Sequence, residues 1–187
     1  MAELNRQEQN ELLALARNTM KIFLATANRD YPVNSNPVFS EKRGVFVTLH
    51  RSGELRGCIG YPLPYKPLWQ AVVDNAIAAS SEDPRFPQVS AAELPQLEIE
   101  ISVLSVPQKV AGHEQVRVGR DGIIISKGFQ RGLLLPQVPV EQGWNLEQYI
   151  SYGCRKAGLA PDEWKKGVQI ETFQALVFSE KESPEKP

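Results

Sequence analysis

Gly44-Val45-Phe46-Val47-Thr48-Leu49-His50-Arg51-Ser52-Gly53-Glu54-Leu55-Arg56-Gly57-Cys58-Ile59-Gly60 reads as a β-hairpin, and the fold is built outward from it. The first half is rich in β-branched and aromatic residues, the composition of a strand. Ser52-Gly53 suits a two-residue turn, where glycine accepts a left-handed backbone without strain. With that turn and regular pairing, Arg51 faces Glu54, Leu49 faces Arg56, and Val47 faces Cys58. Alternation then puts Arg56 and Cys58 on one face, roughly 7 Å apart along the strand, and His50 on the other. A one-residue bulge would reverse the relation of His50 to Cys58.

These residues carry the least ordinary chemistry in the chain. A guanidinium beside a cysteine favours the thiolate, its reactive form. Gly57 and Gly60 leave the backbone bare, as close approach by a ligand or by another chain segment requires. The plainer reading is that Cys58 is a small buried hydrophobe and that the glycines serve the hairpin. The residues alone leave both open.

Length and composition bound the rest. A chain of 187 residues suits one domain, residues 1–187, with room for two lobes and a proper core. Lys and Arg total 21 against 22 acids, so there is no general field for nucleic acid or an anionic membrane, and neither is expected as a partner. No apolar run reaches membrane-spanning length and the N-terminus lacks a signal-peptide core, which makes the cytoplasm the expected compartment. Cys58, Cys154, His50 and His113 show no metal-ligand spacing, so no metal is expected. Phosphate-loop and dinucleotide-binding spacings are absent too, and no cofactor is expected.

Along the chain, residues 7–27 carry apolar side chains at helical spacing, closed by Asn28-Arg29-Asp30. Tyr31 to Val38 is a proline-bearing loop. Pro67 opens a second helix over 67–80, whose small residues permit close packing on a sheet. Asp83-Pro84-Arg85-Phe86-Pro87 makes a rigid corner, with Asp83 read as a turn-stabilising acid and Arg85 as a surface base. Ser90 and Glu93 stand at capping-box spacing for a short helix. Leu97 to Leu104 alternates strictly, with Glu98, Glu100 and Ser102 on the face away from the core. Val116-Arg117-Val118 and Ile123 to Ser126 read as a second hairpin about Gly119 to Gly122. Leu133 to Leu135 is a short strand stopped by Pro136. Asn145 and Gln148 form a capping box that opens a helix over 146–157, with Cys154 on its inner stripe. Pro161 to Trp164 starts another helix. Residues 168–179 read as one long last strand, and about 181–187 as a frayed tail. Mixed elements with two hairpins and no repeated βαβ unit predict an α+β fold, mainly antiparallel, with flanking helices.

Taken together, Leu55 to Gly60, Glu82 to Pro87, Gly119 to Ile125, Gly132 to Val138, Gly143-Trp144 and Cys154 to Leu159 resemble the AMMECR-type domain family. Position 145 is Asn where the family pattern often has Asp; the helix cap survives that change. The resemblance implies two lobes forming a groove, with the Leu55–Gly60 hairpin as the recurring candidate site. It adds Asp83, Arg85 and Glu141 to Gly57 and Gly60 as candidates for lining that groove, around Cys58 and Arg56. It implies no established reaction. Microbial relatives are associated with the AmmeMemoRadiSam set, so a Memo-like protein and a radical S-adenosylmethionine enzyme are the implied partners, and this chain looks like component A. Two functions are carried forward: a binding component for a small molecule or substrate, and an enzyme using Cys58 as nucleophile or redox thiol.

Overall fold

The structure is a computed structural model that describes residues 4–29, 31, 34 and 36–181. Most of the expected tail, together with Asp30, Pro32, Val33 and Ser35 of the first helix stop and loop, lies outside the described residues. The chain forms two compact units, Met1–Leu104 with Leu176–Pro187, and Ser105–Ala175.

The first unit is a four-stranded sheet with two helices on one face. Helix α1 (Arg6–Thr26) begins with a capping box between Asn5 and Glu8, and ends at Ala27, whose left-handed φ of 57° stops the helical ladder. Strands β1 (Gly44–Arg51) and β2 (Glu54–Tyr61) form the hairpin, and β3 (Leu97–Leu104) pairs antiparallel with the other edge of β1. With β8 (Ala175–Ser179) the order is β2-β1-β3-β8. Helix α2 (Leu68–Ser81) follows Pro67, as the sequence predicts within a residue. Val45, Val47 and Leu49 from β1 and Ile99 and Ile101 from β3 share a core with Leu12, Ala16 and Met20 of α1 and Val72, Ala76 and Ala79 of α2. Each large apolar side chain buried there contributes about 1.5–3 kcal/mol of transfer free energy.

The second unit has its own sheet, order β4-β7-β5-β6, from β4 (Gln108–Val110), β5 (Gly122–Lys127), β6 (Gln130–Leu134) and β7 (Gln169–Phe173). A short helix α3 (Gln137–Glu141) precedes α4 (Leu146–Lys156), which opens on the Asn145–Gln148 capping box. Ile123, Ile125, Tyr149, Ile150, Cys154 and Ile170 make this unit's core. The fold is α+β with antiparallel pairing in both sheets.

Five expectations are corrected. Val116 to Val118 is not a strand: the carboxylate of Asp121 accepts the N–H of Arg117 (2.9 Å) and winds the segment into a turn, while the hairpin runs from β5 to β6 about Gly128-Phe129. The long last strand divides at Gln174, whose N–H is taken by the Ser105 hydroxyl (2.9 Å), so that β7 and β8 join different sheets. Ser90 caps no helix; turns lead into a 3-10 segment, Leu94–Gln96, and the Glu93 carboxylate is engaged elsewhere. The helix expected from Pro161 is a single 3-10 segment, Glu163–Lys166. The pairing of β2 with β1 also differs. Strand β4 and helix α3, both short, had no periodic signal to reveal them.

Candidate functional site

The hairpin turn is as the sequence predicts: Ser52 and Gly53 have φ of 53° and 85°, the left-handed pair that matches strand twist. Arg51 pairs with Glu54 and His50 with Leu55, but Leu49 then pairs with Gly57, leaving Arg56 as an extra, unpaired residue. This β-bulge corrects the register. Cys58 lies opposite Thr48, not Val47, and Gly57, not Arg56, lies opposite Leu49. The slip moves the thiol off the core face, where Val45, Val47 and Leu49 point, onto the open face with Phe46, Thr48 and His50. His50 and Cys58 therefore share a face after all.

The Cys58 thiol is half-buried; the Thr48 hydroxyl donates to Sγ at 3.3 Å, and the Arg85 guanidinium also stands beside the thiol. Its main chain is held from outside the sheet. β2 is an edge strand, and Asp83 Oδ2 accepts the Cys58 N–H (2.8 Å) while Arg85 Nη2 donates to the Cys58 carbonyl (3.2 Å). Asp83 also accepts from the main-chain N–H of Arg85 (3.1 Å), from Nε (2.9 Å) and from Nη2 (2.7 Å). With four donors on it, the buried carboxylate is saturated. The Arg85 guanidinium is the main cause that holds Asp83 well below the ordinary carboxylate range, against the opposing effect of burial. The corner thus occupies the edge of β2 at Cys58, one of the ways proteins blunt a free strand edge.

Arg56 turns its charge to another partner. Its Nε and Nη2 bind Glu93 Oε1 and Oε2 at 2.7 and 3.1 Å, and both side chains are largely buried, 14% and 12% exposed. Arg51 adds a longer contact to the same carboxylate, 3.3 Å. The hydrogen bonds from Arg56, first among the causes, keep Glu93 below its usual range. Phe86 stands near both guanidiniums, its ring centroid 6.0 Å from Arg56 and 5.5 Å from Arg85.

The two glycines serve packing. A Cβ on Gly57 would collide with the Ala79 carbonyl oxygen of α2, so its absence lets the helix lie directly on the bulged strand. A Cβ on Gly60 would strike the Phe46 ring and the Val45 carbonyl oxygen. Glu141 ends α3 in the second unit. Cys154 is fully buried in α4, where burial pushes its thiol up from the ordinary value. Among the described residues, no group of three or more His, Cys, Asp or Glu is placed to hold a metal, and no helix is long and apolar enough to cross a membrane.

Sequence reading did not find Thr48 or Glu93. A glycine inside a strand is a known mark of a bulge, and Gly57 next to Arg56 carried that signal. Nothing local marked Glu93, which is 37 residues from Arg56.

The AMMECR1 family profile matches residues 13–178, most of the chain. The chain belongs to the AMMECR1 family. Its relatives include a protein of Methanocaldococcus jannaschii, 45% identical, the match covering 97% of this chain and 94% of the other. Another, from Methanothermobacter thermautotrophicus, is 43% identical over 96% and 97%. The crystal structure of an uncharacterised Pyrococcus horikoshii protein superposes with a TM-score of 0.78 at 42% identity, covering 91% of this chain and 90% of that one. The AMMECR1 assignment brings no established reaction with it.

Proposed function

We propose that this AMMECR1 protein is a non-catalytic binding component that presents a small molecule or substrate on the Cys58 face of its first unit. The observation that carries this reading is that the charges around Cys58 are already spent within the protein. Arg56 is bound by Glu93, and Asp83 is saturated by Arg85 and the Cys58 main chain. The thiol meets the Thr48 hydroxyl and the guanidinium of Arg85, a cation that Asp83 already binds. A nucleophilic cysteine needs an adjacent base or an uncompensated positive charge; the charge beside Cys58 is that of Arg85, and the Asp83 carboxylate compensates it. The resemblance to the AmmeMemoRadiSam set supports a Memo-like protein and a radical S-adenosylmethionine enzyme as the partners that receive the bound molecule, with the cytoplasm as their common compartment.

The bulge favours a second reading. Because His50 and Cys58 share a face, a bound substrate spanning them would have a thiol nucleophile and an imidazole base on one side. One experiment separates the two. Untargeted metabolite profiles are compared between a deletion strain and strains complemented with wild type, Cys58→Ser or His50→Gln. The binding reading expects Cys58→Ser to restore the wild-type profile, since serine keeps size and hydrogen bonding. Profiles from Cys58→Ser and His50→Gln that both match the deletion would replace it with the catalytic reading.

A further inference from the structure

The β5–β6 hairpin of the second unit ends in an aromatic ring. Lys127 pairs with Gln130, so Gly128 and Phe129 make a two-residue turn. Gly128 takes a positive φ, 59°, as such a turn requires at its first position, and that geometry asks for no apolar residue at the second. Phe129 is nevertheless there, fully exposed, and more so than any other large apolar side chain among the described residues. The apex is held from below. Gln130 Nε2 donates to the Gly158 carbonyl (2.7 Å), and Lys127 Nζ binds Glu163 Oε1 (2.6 Å). The missing Cβ of Gly132 lets β6 lie against the main chain at Ala157. The ring projects from a braced turn.

Cations surround that ring on both faces of the hairpin. Lys127 and Gln130, cross-strand partners, share the face towards the end of α4 and the 3-10 segment Glu163–Lys166, where Lys156, Lys165 and Lys166 are exposed. Arg131, one residue on, stands on the other face and binds Glu171 (3.0 Å). The acids they bind lie behind them. The side chains of Glu163 and Glu171 are 18% and 16% exposed, against 41%, 44% and 58% for Lys127, Arg131 and Lys166. Lys156 and Lys165 have no ion pair among the described residues. The exposed acids nearby are Asp162, 3.5 Å from Lys166, and Glu114, on the His113 side of Trp164. The near-equal totals of 21 bases and 22 acids over the whole chain hide a positive end.

A protruding apex with one aromatic ring and a collar of cations has no apolar shoulder to form the core of a protein interface. It fits a surface that deforms around it and is negative throughout. Aromatic rings lodge at the boundary between headgroups and acyl chains, and lysine stems lie along that boundary with their ammonium groups among the phosphates. We propose that the β5–β6 apex docks on an anionic phospholipid bilayer, with Phe129 inserted and the cations on the headgroups. Such a contact is reversible, since one ring and a few charges fall well short of a stable anchor.

The test is co-sedimentation of the full chain with vesicles, either phosphatidylcholine alone or an equimolar mixture with phosphatidylglycerol. Partition onto the mixed vesicles should exceed that onto the neutral ones at least about tenfold and should fall as salt is raised. Phe129→Ala should weaken it about tenfold or more, the scale of one buried aromatic side chain, whereas Phe129→Leu should retain most of it. The double change Lys156→Glu with Lys165→Glu should weaken it by a similar factor. Val140→Ala, at an exposed apolar residue of α3, should leave it unchanged. Thermal melting checks that each variant is folded. Phe129→Trp should add an emission that acyl-brominated lipid quenches, above the background of Trp69, Trp144 and Trp164 in the wild type. Equal partition onto both vesicles, no partition onto either, or wild-type partition by Phe129→Ala overturns the proposal. So does charge-dependent binding that persists in Phe129→Ala and is competed away by single-stranded oligodeoxythymidine, which would mark a general polyanion site.

Discussion

The guanidinium of Arg56 is gripped through two nitrogens by the carboxylate of Glu93, and both side chains are largely withdrawn from water. This pair anchors the bulged residue of β2, and it takes the positive charge that the sequence places beside Cys58. Arg56→Ala should therefore change the rate of Cys58 alkylation less than about twofold. It should also cost about 1–3 kcal/mol of stability, the scale for losing hydrogen bonds to a charged group, since Arg51 still contacts Glu93. Iodoacetamide labelling and urea denaturation measure the two effects separately. A large loss of reactivity with unchanged stability would show that Arg56 acts on the thiol after all.

The Asp83 carboxylate gives a pH signature. Its folded-state pKa is depressed, mainly by hydrogen bonds from Arg85, so its stabilising contribution is present above the unfolded value, about 3.9, and is lost as pH falls below it. Asp83→Asn should be less stable than wild type at neutral pH by about 1–3 kcal/mol, the range for a lost charge-assisted hydrogen-bond set. The gap should narrow steadily from about pH 5 downward. Equal stability differences at pH 7 and pH 3 would mean the charge of Asp83 contributes nothing.

Gly57 and Gly60 should respond differently to an added methyl group. Gly57→Ala meets the main-chain carbonyl of Ala79, which cannot swing aside, and should cost at least about 1–3 kcal/mol. Gly60→Ala meets the Phe46 ring and also the Val45 carbonyl oxygen, so the second change Phe46→Ala should recover only part of its loss. Denaturation of the singles and the double mutant checks this by a thermodynamic cycle. Rescue of Gly57→Ala by any neighbouring side-chain truncation would contradict the backbone contact.

The two cysteines should separate cleanly in the folded protein. Cys58 is half-buried on the open face, whereas Cys154 is fully buried and its thiol is pushed up by desolvation. Native labelling should modify Cys58 alone, with Cys154 reacting only once urea unfolds the second unit. Equal labelling of both in native buffer would place Cys58 in a packed interior.

The sequence by itself determined the elements whose signals are local. The alternation of Leu97 to Leu104 appears as the buried and half-buried pattern of β3, and Ser52-Gly53 makes the left-handed turn. Asn145 and Gln148 cap α4 as their spacing predicts. Only the tertiary structure decided the rest. Val168 to Phe178 reads as one continuous strand with no local mark at Gln174, whose N–H bonds the Ser105 hydroxyl, 69 residues away, where β7 gives way to β8. The register of the hairpin was likewise settled from outside it. Strand side chains repeat every two residues, so a single extra residue reverses every face. Glu93 holding Arg56, and Ala79 pressing on Gly57, select the bulged register. Those contacts, set by chain packing far along the sequence, put Cys58 beside Thr48 and turn it away from the core.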